Sequence, residues 1–286
     1  MARASDRIRE NVAGDFFVDT SCIDCDLCRQ LAPATFARVD RRAQSYVQQQ
    51  PRDAGEEHRA LMALVACPTS SIGTEHKHDS RAAARAFPER VAGDVYFCGW
   101  AAEASYGAAS WFIRRDAGNV LIDSPRAAST LLARLDELGG VRTMFLTHRD
   151  DVADHEAFRA RFGCERVMHR ADAVRGIERV IDGDAPVRLD EDLVVVPVPG
   201  HTRGSCVLIY RDTFAFTGDH VWATDAQDGL EAGADVCWYS WPEQRRSMAR
   251  LAEHRFEWVL PGHGRRFHAA SAGAMRDEVS RLAAAM

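Results

Sequence analysis

Apolar positions along the chain fall into two textures. From Val95 onward, short apolar runs alternate with stretches of helical period. Residues 95–97, 110–114, 120–123, 143–147, 166–169, 193–197, 206–210, 214–217 and 258–260 have the length and composition of strands. Residues 126–138, 156–162, 244–254 and 272–285 predict helices, and in the first of them Leu131, Leu132, Leu135 and Leu138 share one side. Strands alternating with helices, with antiparallel pieces among them, predict a layered α/β domain. Before Val95 the pattern differs. One stretch of helical period, 56–66, with Leu61, Met62, Leu64 and Val65, lies among clustered cysteines. Residues 74–86 are polar and charged with no hydrophobic period. The chain is therefore divided into a small α+β domain over 1–73, a linker over 74–93 and an α/β domain over 94–286. His76 and His78 are expected on an exposed linker face.

A length of 286 residues suits two compact domains, and 46% hydrophobic content is enough to bury both cores. The formal net charge is −6 and no basic cluster interleaves with aromatics, so a nucleic-acid backbone is not the expected partner. No run of 18 or more apolar residues predicts a membrane helix. Residues 1–10 lack the apolar centre of a signal peptide, which makes the cytoplasm the expected compartment. In that compartment the eight cysteines are not expected to form bridges. Cys98, Cys164, Cys206 and Cys237 are scattered and read as small buried hydrophobes.

The other four are grouped. Cys22-Ile-Asp-Cys25-Asp-Leu-Cys28 places a thiol at every third residue, and Cys67-Pro68 supplies a fourth. Such a loop wraps one corner of an iron–sulfur cube, and a remote Cys-Pro closes it from the other side. Zinc is the competing reading, although zinc ribbons use two separated C-x2-C pairs. "CIDCDLCRQLAPATF" and "ACPTSSI" resemble the two halves of a single-cluster bacterial ferredoxin. With all four ligand positions filled, that resemblance implies one [4Fe–4S] cluster.

A second set of chemistry-bearing residues follows strands in the larger part. The segments are Thr147-His148-Arg-Asp150-Asp151-Val-Ala-Asp154-His155, Gly200-His201-Thr202-Arg-Gly204-Ser205, Gly218-Asp219, and Gly262-His263-Gly264. Loop-borne imidazoles and carboxylates in this number suffice for two metals. The segments resemble, in order, the four motifs of the metallo-β-lactamase superfamily. The resemblance implies an αββα sandwich with two metals at one edge. His148 and His201 would bind the first metal, His155 and His263 the second, and Asp219 would bridge them. The first motif departs from the family pattern. Asp150 stands where hydrolases have a second histidine, and two extra residues precede Asp154-His155. Asp150 is read as replacing that histidine and Asp154 as keeping the usual aspartate role, with Asp151 a competitor. The carboxylate ligand shifts preference from zinc toward iron or manganese, and the flavodiiron branch of the superfamily, which binds two irons, also has one there. His169 is expected to pack in place, His220 to lie beyond the metal ligands, and His58, His254 and His268 at the surface. The aromatic-rich stretch 222–241 reads equally as a substrate wall or as packing, and so does 99–110 with Trp100 and Tyr106.

Two functions from different classes follow. The first is a di-iron oxidoreductase or oxygenase that receives electrons from its own cluster. Its partners would be a small-molecule substrate and a reductase or other electron donor. The second is a zinc-dependent hydrolase of an ester, lactone or thioester in which Asp154 orients a metal-bound water and the cluster is structural or regulatory. A non-catalytic redox sensor is a third. The fused cluster favours the first.

Overall fold

A computed structural model describes residues 2–39 and 43–286. The chain forms two compact units. One comprises Met1–Asn119, Ser124–Val141 and Ala153–Phe162; the other comprises Val120–Asp123, Arg142–Val152 and Gly163–Met286.

In the first unit the helix Ala54–Ala66 begins at Asp53, whose carboxylate accepts the N–H groups of Gly55 and Glu56 at 2.9 Å each. It buries Leu61, Met62 and Val65 and packs against the short helix Leu27–Leu31. Strand Phe16–Val18 pairs antiparallel with Ile72–Thr74, and Phe36–Val39 with Gln44–Val47. These strands of three or four residues are too short to show a period of two, and only the helix was legible beforehand. The stretch read as linker is structured. It carries the helical turn Arg81–Arg85 and the strand Glu89–Ala92, which pairs antiparallel with Val95–Phe97. Trp111–Ile113 pairs with that strand in turn.

His78 is not solvated either. Its Nδ1 lies 2.8 Å from Glu57, its Nε2 contacts the Asp15 carboxylate, and its ring packs on Phe16. The hydrogen bond to Asp15 raises the His78 pKa against the opposing effect of burial. Burial pulls the Asp15 carboxyl up, but hydrogen bonds from His76 and His78 more than reverse it. A histidine that holds its proton more tightly when folded contributes stability below its ordinary value of 6.5, and that stability is lost as pH rises through the raised value. Thermal unfolding across a pH series should therefore show the difference between wild type and His78→Gln shrinking toward alkaline pH. A difference that is constant across the series would refute this.

In the second unit Val120–Ile122, Thr143–Phe145, Glu165–His169 and Arg179–Ile181 pair in that order, all parallel. A six-stranded mixed sheet runs Val187–Arg188, Leu193–Pro197, Cys206–Tyr210, Phe214–Gly218, Trp258–Pro261 and Phe267–His268. Leu193–Pro197 and Phe214–Gly218 are both antiparallel to Cys206–Tyr210, and Trp258–Pro261 is parallel to Phe214–Gly218. These three strands therefore point the same way, and the loops leaving them emerge at one sheet edge. The helices Trp241–Leu251 and Ala272–Ala285 start at Ser240 and Ser271, whose hydroxyls accept N–H groups of the first turn. They bury Met248, Leu251, Met275 and Val279 against Val196, Val207, Ile209 and Val259. Burial of this apolar face fixes the sheet and hence the loop edge. Among the described residues no helix is long and apolar enough to cross a membrane.

Candidate metal centres

His148 follows the strand Thr143–Phe145, while His201, Asp219 and His263 follow the three strands of common direction. One ligand atom from each of His148, Asp150 and His201 lies within 4.8 Å of the others, and so do those of His148, Asp151 and Asp219. His201 Nε2 is 3.3 Å from Asp150 and 3.7 Å from Asp219. His148 Nε2 is 3.7 Å from Asp219 and 3.9 Å from both Asp150 and Asp151. His263 Nδ1 lies 2.9 Å from Asp219. Two donors that share a tetrahedral ion at about 2.1 Å stand roughly 3.4 Å apart, so these spacings are close to those of a coordination shell. Asp150 and Asp151 both reach the centre, on different sides: Asp150 faces His201 and Asp151 faces Asp219.

The second ring nitrogens orient the imidazoles. His201 Nδ1–H donates to the Val236 carbonyl at 2.7 Å, which leaves Nε2 as the lone-pair nitrogen. His148 Nδ1 is 2.9 Å from the Thr147 hydroxyl, which donates to Asp123 at 3.0 Å. Asp172 plays a similar part for the neighbouring loop, accepting from Thr202 Oγ1 and from the Gly204 N–H at 2.9 Å. Sequence reasoning assigned no role to Asp123 or Asp172. The available signal was an aspartate closing an apolar strand in one case and following the strand end His169 in the other. Glycine is required at two places. At Gly218, with φ of +50°, a Cβ would lie 2.6 Å from Thr147 Oγ1, and at Gly262 it would lie 2.6 Å from Asp151 Oδ2.

Charge and solvation suit a cation. His148 Nε2, His201 Nε2 and both carboxylate oxygens of Asp151 are buried with no hydrogen-bond partner. Burial pushes the His148 pKa down to about 4, so the imidazole is neutral and ready to ligate. Burial and the neighbouring Asp219 charge push the Asp151 carboxyl well up. For Asp219 burial acts upward too, but His263, His148 and His201 outweigh it and hold the carboxyl far below its usual range. A buried carboxylate without a hydrogen-bond donor is unfavourable until a cation coordinates it and neutralises its charge. The residues fit bound divalent metal.

Asp154 and His155 belong to the first unit. Asp154 Oδ2 accepts the Ala127 N–H at 2.8 Å, and His155 is buried at the start of the helix His155–Phe162. His169 is held by the Ala171 N–H and the Gly183 carbonyl. His220 is fully buried with neither ring nitrogen hydrogen-bonded, and burial lowers its pKa to about 3. Trp238 is largely exposed and stands edge-on to His201 at 6.1 Å, so this part of the aromatic stretch lies beside the centre.

The cysteine loop closes because Asp24 and Asp26 adopt the left-handed conformation, with φ of 61° and 65°. Buried Arg29 locks it by donating to Asp24 at 2.7 Å, to Asp26 and to Ser45. Cys28 rides on the helix Leu27–Leu31, and Cys67 sits at the C-terminal end of Ala54–Ala66. Backbone N–H groups already point at sulfur, from Ser45 to Cys22 and from Ser71 to Cys67, both at 3.3 Å. Burial pushes the Cys25 thiol up to about 12, with Cys67 and Cys22 adding to the rise. Thiols close enough to repel as thiolates, with N–H donors aimed at them, fit an iron cluster that supplies the positive charge. Cys98, Cys164 and Cys206 are buried, as expected, while Cys237 is half-buried and donates to the Gly200 carbonyl.

Residues 18–74 match the family model of the 4Fe-4S single cluster domain of Ferredoxin I. No curated protein matches the chain. Among solved structures, DIM-1 metallo-β-lactamase exposed to ceftazidime is 16% identical over 68% of this chain and 95% of its own, with a TM-score of 0.51. VMB-1 is 16% identical over 69% and 97%, also with a TM-score of 0.51. ETHE1 from Myxococcus xanthus is 21% identical over 66% and 84%, with a TM-score of 0.48. The chain thus carries a single-cluster 4Fe–4S ferredoxin domain over residues 18–74 and, later in the sequence, an α/β sandwich of the metallo-β-lactamase fold.

Proposed function

We propose that the protein is a binuclear metalloenzyme, an oxidoreductase or oxygenase whose His/Asp centre takes electrons from its own [4Fe–4S] domain. The observation that carries this reading is the donor set: His148 and His201 with Asp150 on one side, and Asp151, Asp219 and His263 on the other. Three carboxylates among six donors favour iron or manganese over zinc. When bound, two iron ions would supply the one-electron steps by which O2, NO or an organic substrate is reduced or oxygenated, while an external one-electron donor keeps the cluster reduced. The chain's own contribution is positional. Thr147 and Val236 hold the two imidazoles with Nε2 forward, Asp219 stands between the donor groups, and half-exposed Asp150 marks the solvent side.

The test is metal analysis with electron paramagnetic resonance after anaerobic purification. Iron in both sites is expected. Asp150→His should shift the centre toward zinc and abolish redox turnover. Stoichiometric zinc in the wild type, with ester turnover indifferent to cluster loss, would replace this reading with hydrolysis.

A further inference from the structure

The segment after the ferredoxin domain closes over the cluster ligands. At Gly107, with φ of +86°, a Cβ would lie 2.6 Å from Cys25 Cβ and 3.1 Å from Pro68 Cγ, so the backbone there is in direct contact with the cysteine loop. The last carbonyls of the helix Ala54–Ala66 are also taken by this side of the unit. The Ala101 N–H donates to Ala66 at 3.2 Å, and Arg126 Nη2 donates to Val65 at 3.0 Å. These bonds satisfy groups that a helix end leaves open. They also place one guanidinium two residues from Cys67. Arg126 is fixed there three times over: by the Val65 carbonyl, by its own N–H on the Trp100 carbonyl at 2.7 Å, and by its guanidinium lying 5.3 Å over the Trp100 ring. The next residue, Ala127, gives its N–H to Asp154. The charge of Cys67 acts on Arg126.

We propose that Arg126 is a positioning residue that sets the reduction potential of the cluster. A fixed cation beside Cys67 stabilises the more negative, reduced cluster and so raises its potential. Partial burial behind Trp100 keeps that charge from being screened as a surface arginine would be. The effect on potential does not rest on the redox reading above.

The experiment is a redox titration of the cluster in the full-length protein, followed by electron paramagnetic resonance, for wild type, Arg126→Gln and Arg126→Lys. Glutamine keeps a donor for the Val65 carbonyl and removes the charge, whereas lysine keeps the charge. The midpoint should move to lower potential in Arg126→Gln and stay near wild type in Arg126→Lys. An Arg126→Gln midpoint equal to wild type would overturn the proposal. So would equal shifts in both variants, since these would assign the effect to lost packing around Trp100. A centre found to hold only zinc would sink the redox reading while leaving the expected shift intact.

Discussion

Asp151→Asn is expected to make the metal-free protein more stable and the metal-loaded protein less so. In the wild type the Asp151 carboxyl is fully buried, its two oxygens find no hydrogen-bond partner, and Asp219 adds like charge. An unsatisfied buried polar group costs on the order of 1–3 kcal/mol, more when charged. The amide is still polar, but it has no acidity for burial and the Asp219 charge to oppose, so the apo protein should gain stability at neutral pH. The same change removes a donor that a cation would use. A bound metal at a hundredfold excess over Kd stabilises by about 2.7 kcal/mol, and that increment should largely vanish in the variant. Thermal unfolding of wild type and variant, each with and without added iron(II) or zinc, measures both terms. If the apo midpoints coincide and the metal-dependent rise is unchanged, Asp151 is not part of the centre. This is the expected pattern of a residue retained for chemistry at the expense of stability.

Gly107→Ala is the second large effect. The left-handed backbone at this position disfavours any Cβ, and the added carbon would meet Cys25 Cβ and Pro68 Cγ. Strain and overlap together are worth roughly 2–4 kcal/mol. Relief requires the segment to withdraw from the cysteine loop, which would open the cluster to solvent. The variant should purify with much of its iron–sulfur absorption missing, while the His/Asp centre still binds metal. Full cluster content in Gly107→Ala would show that this contact does not protect the cluster.

The two effects lie on opposite sides of what could be read beforehand. The cysteine spacing and the ordered His/Asp motifs were visible because metal ligation depends on residue type and short spacing, both of which are local. The long strands and helices of the larger domain were visible for a similar reason: burial of one face imposes a period on the sequence. Observed ends differ by a few residues, as with the helix Trp241–Leu251 against the expected 244–254, because Ser240 caps it and Pro242 starts it earlier than the apolar period shows. The ferredoxin strands were missed because three residues carry no period. The linker was misread because polar residues such as His78 were taken as solvated, whereas Asp15, 63 positions away, pairs with it.

What the sequence determined by itself was the identity of the donors, four thiols and a set of imidazoles and carboxylates, together with the α/β layering that carries the second set. Tertiary structure decided which carboxylate faces which imidazole. It set Asp150 against His201 and Asp151 against Asp219, a distinction between adjacent residues that no spacing rule resolves. It also brought Asp123, Gly107 and Arg126 to the sites, each from a segment with no metal motif of its own. The physical reason is that a donor's chemistry belongs to its side chain, while its orientation, burial and neighbouring charge belong to whatever the folded chain packs around it.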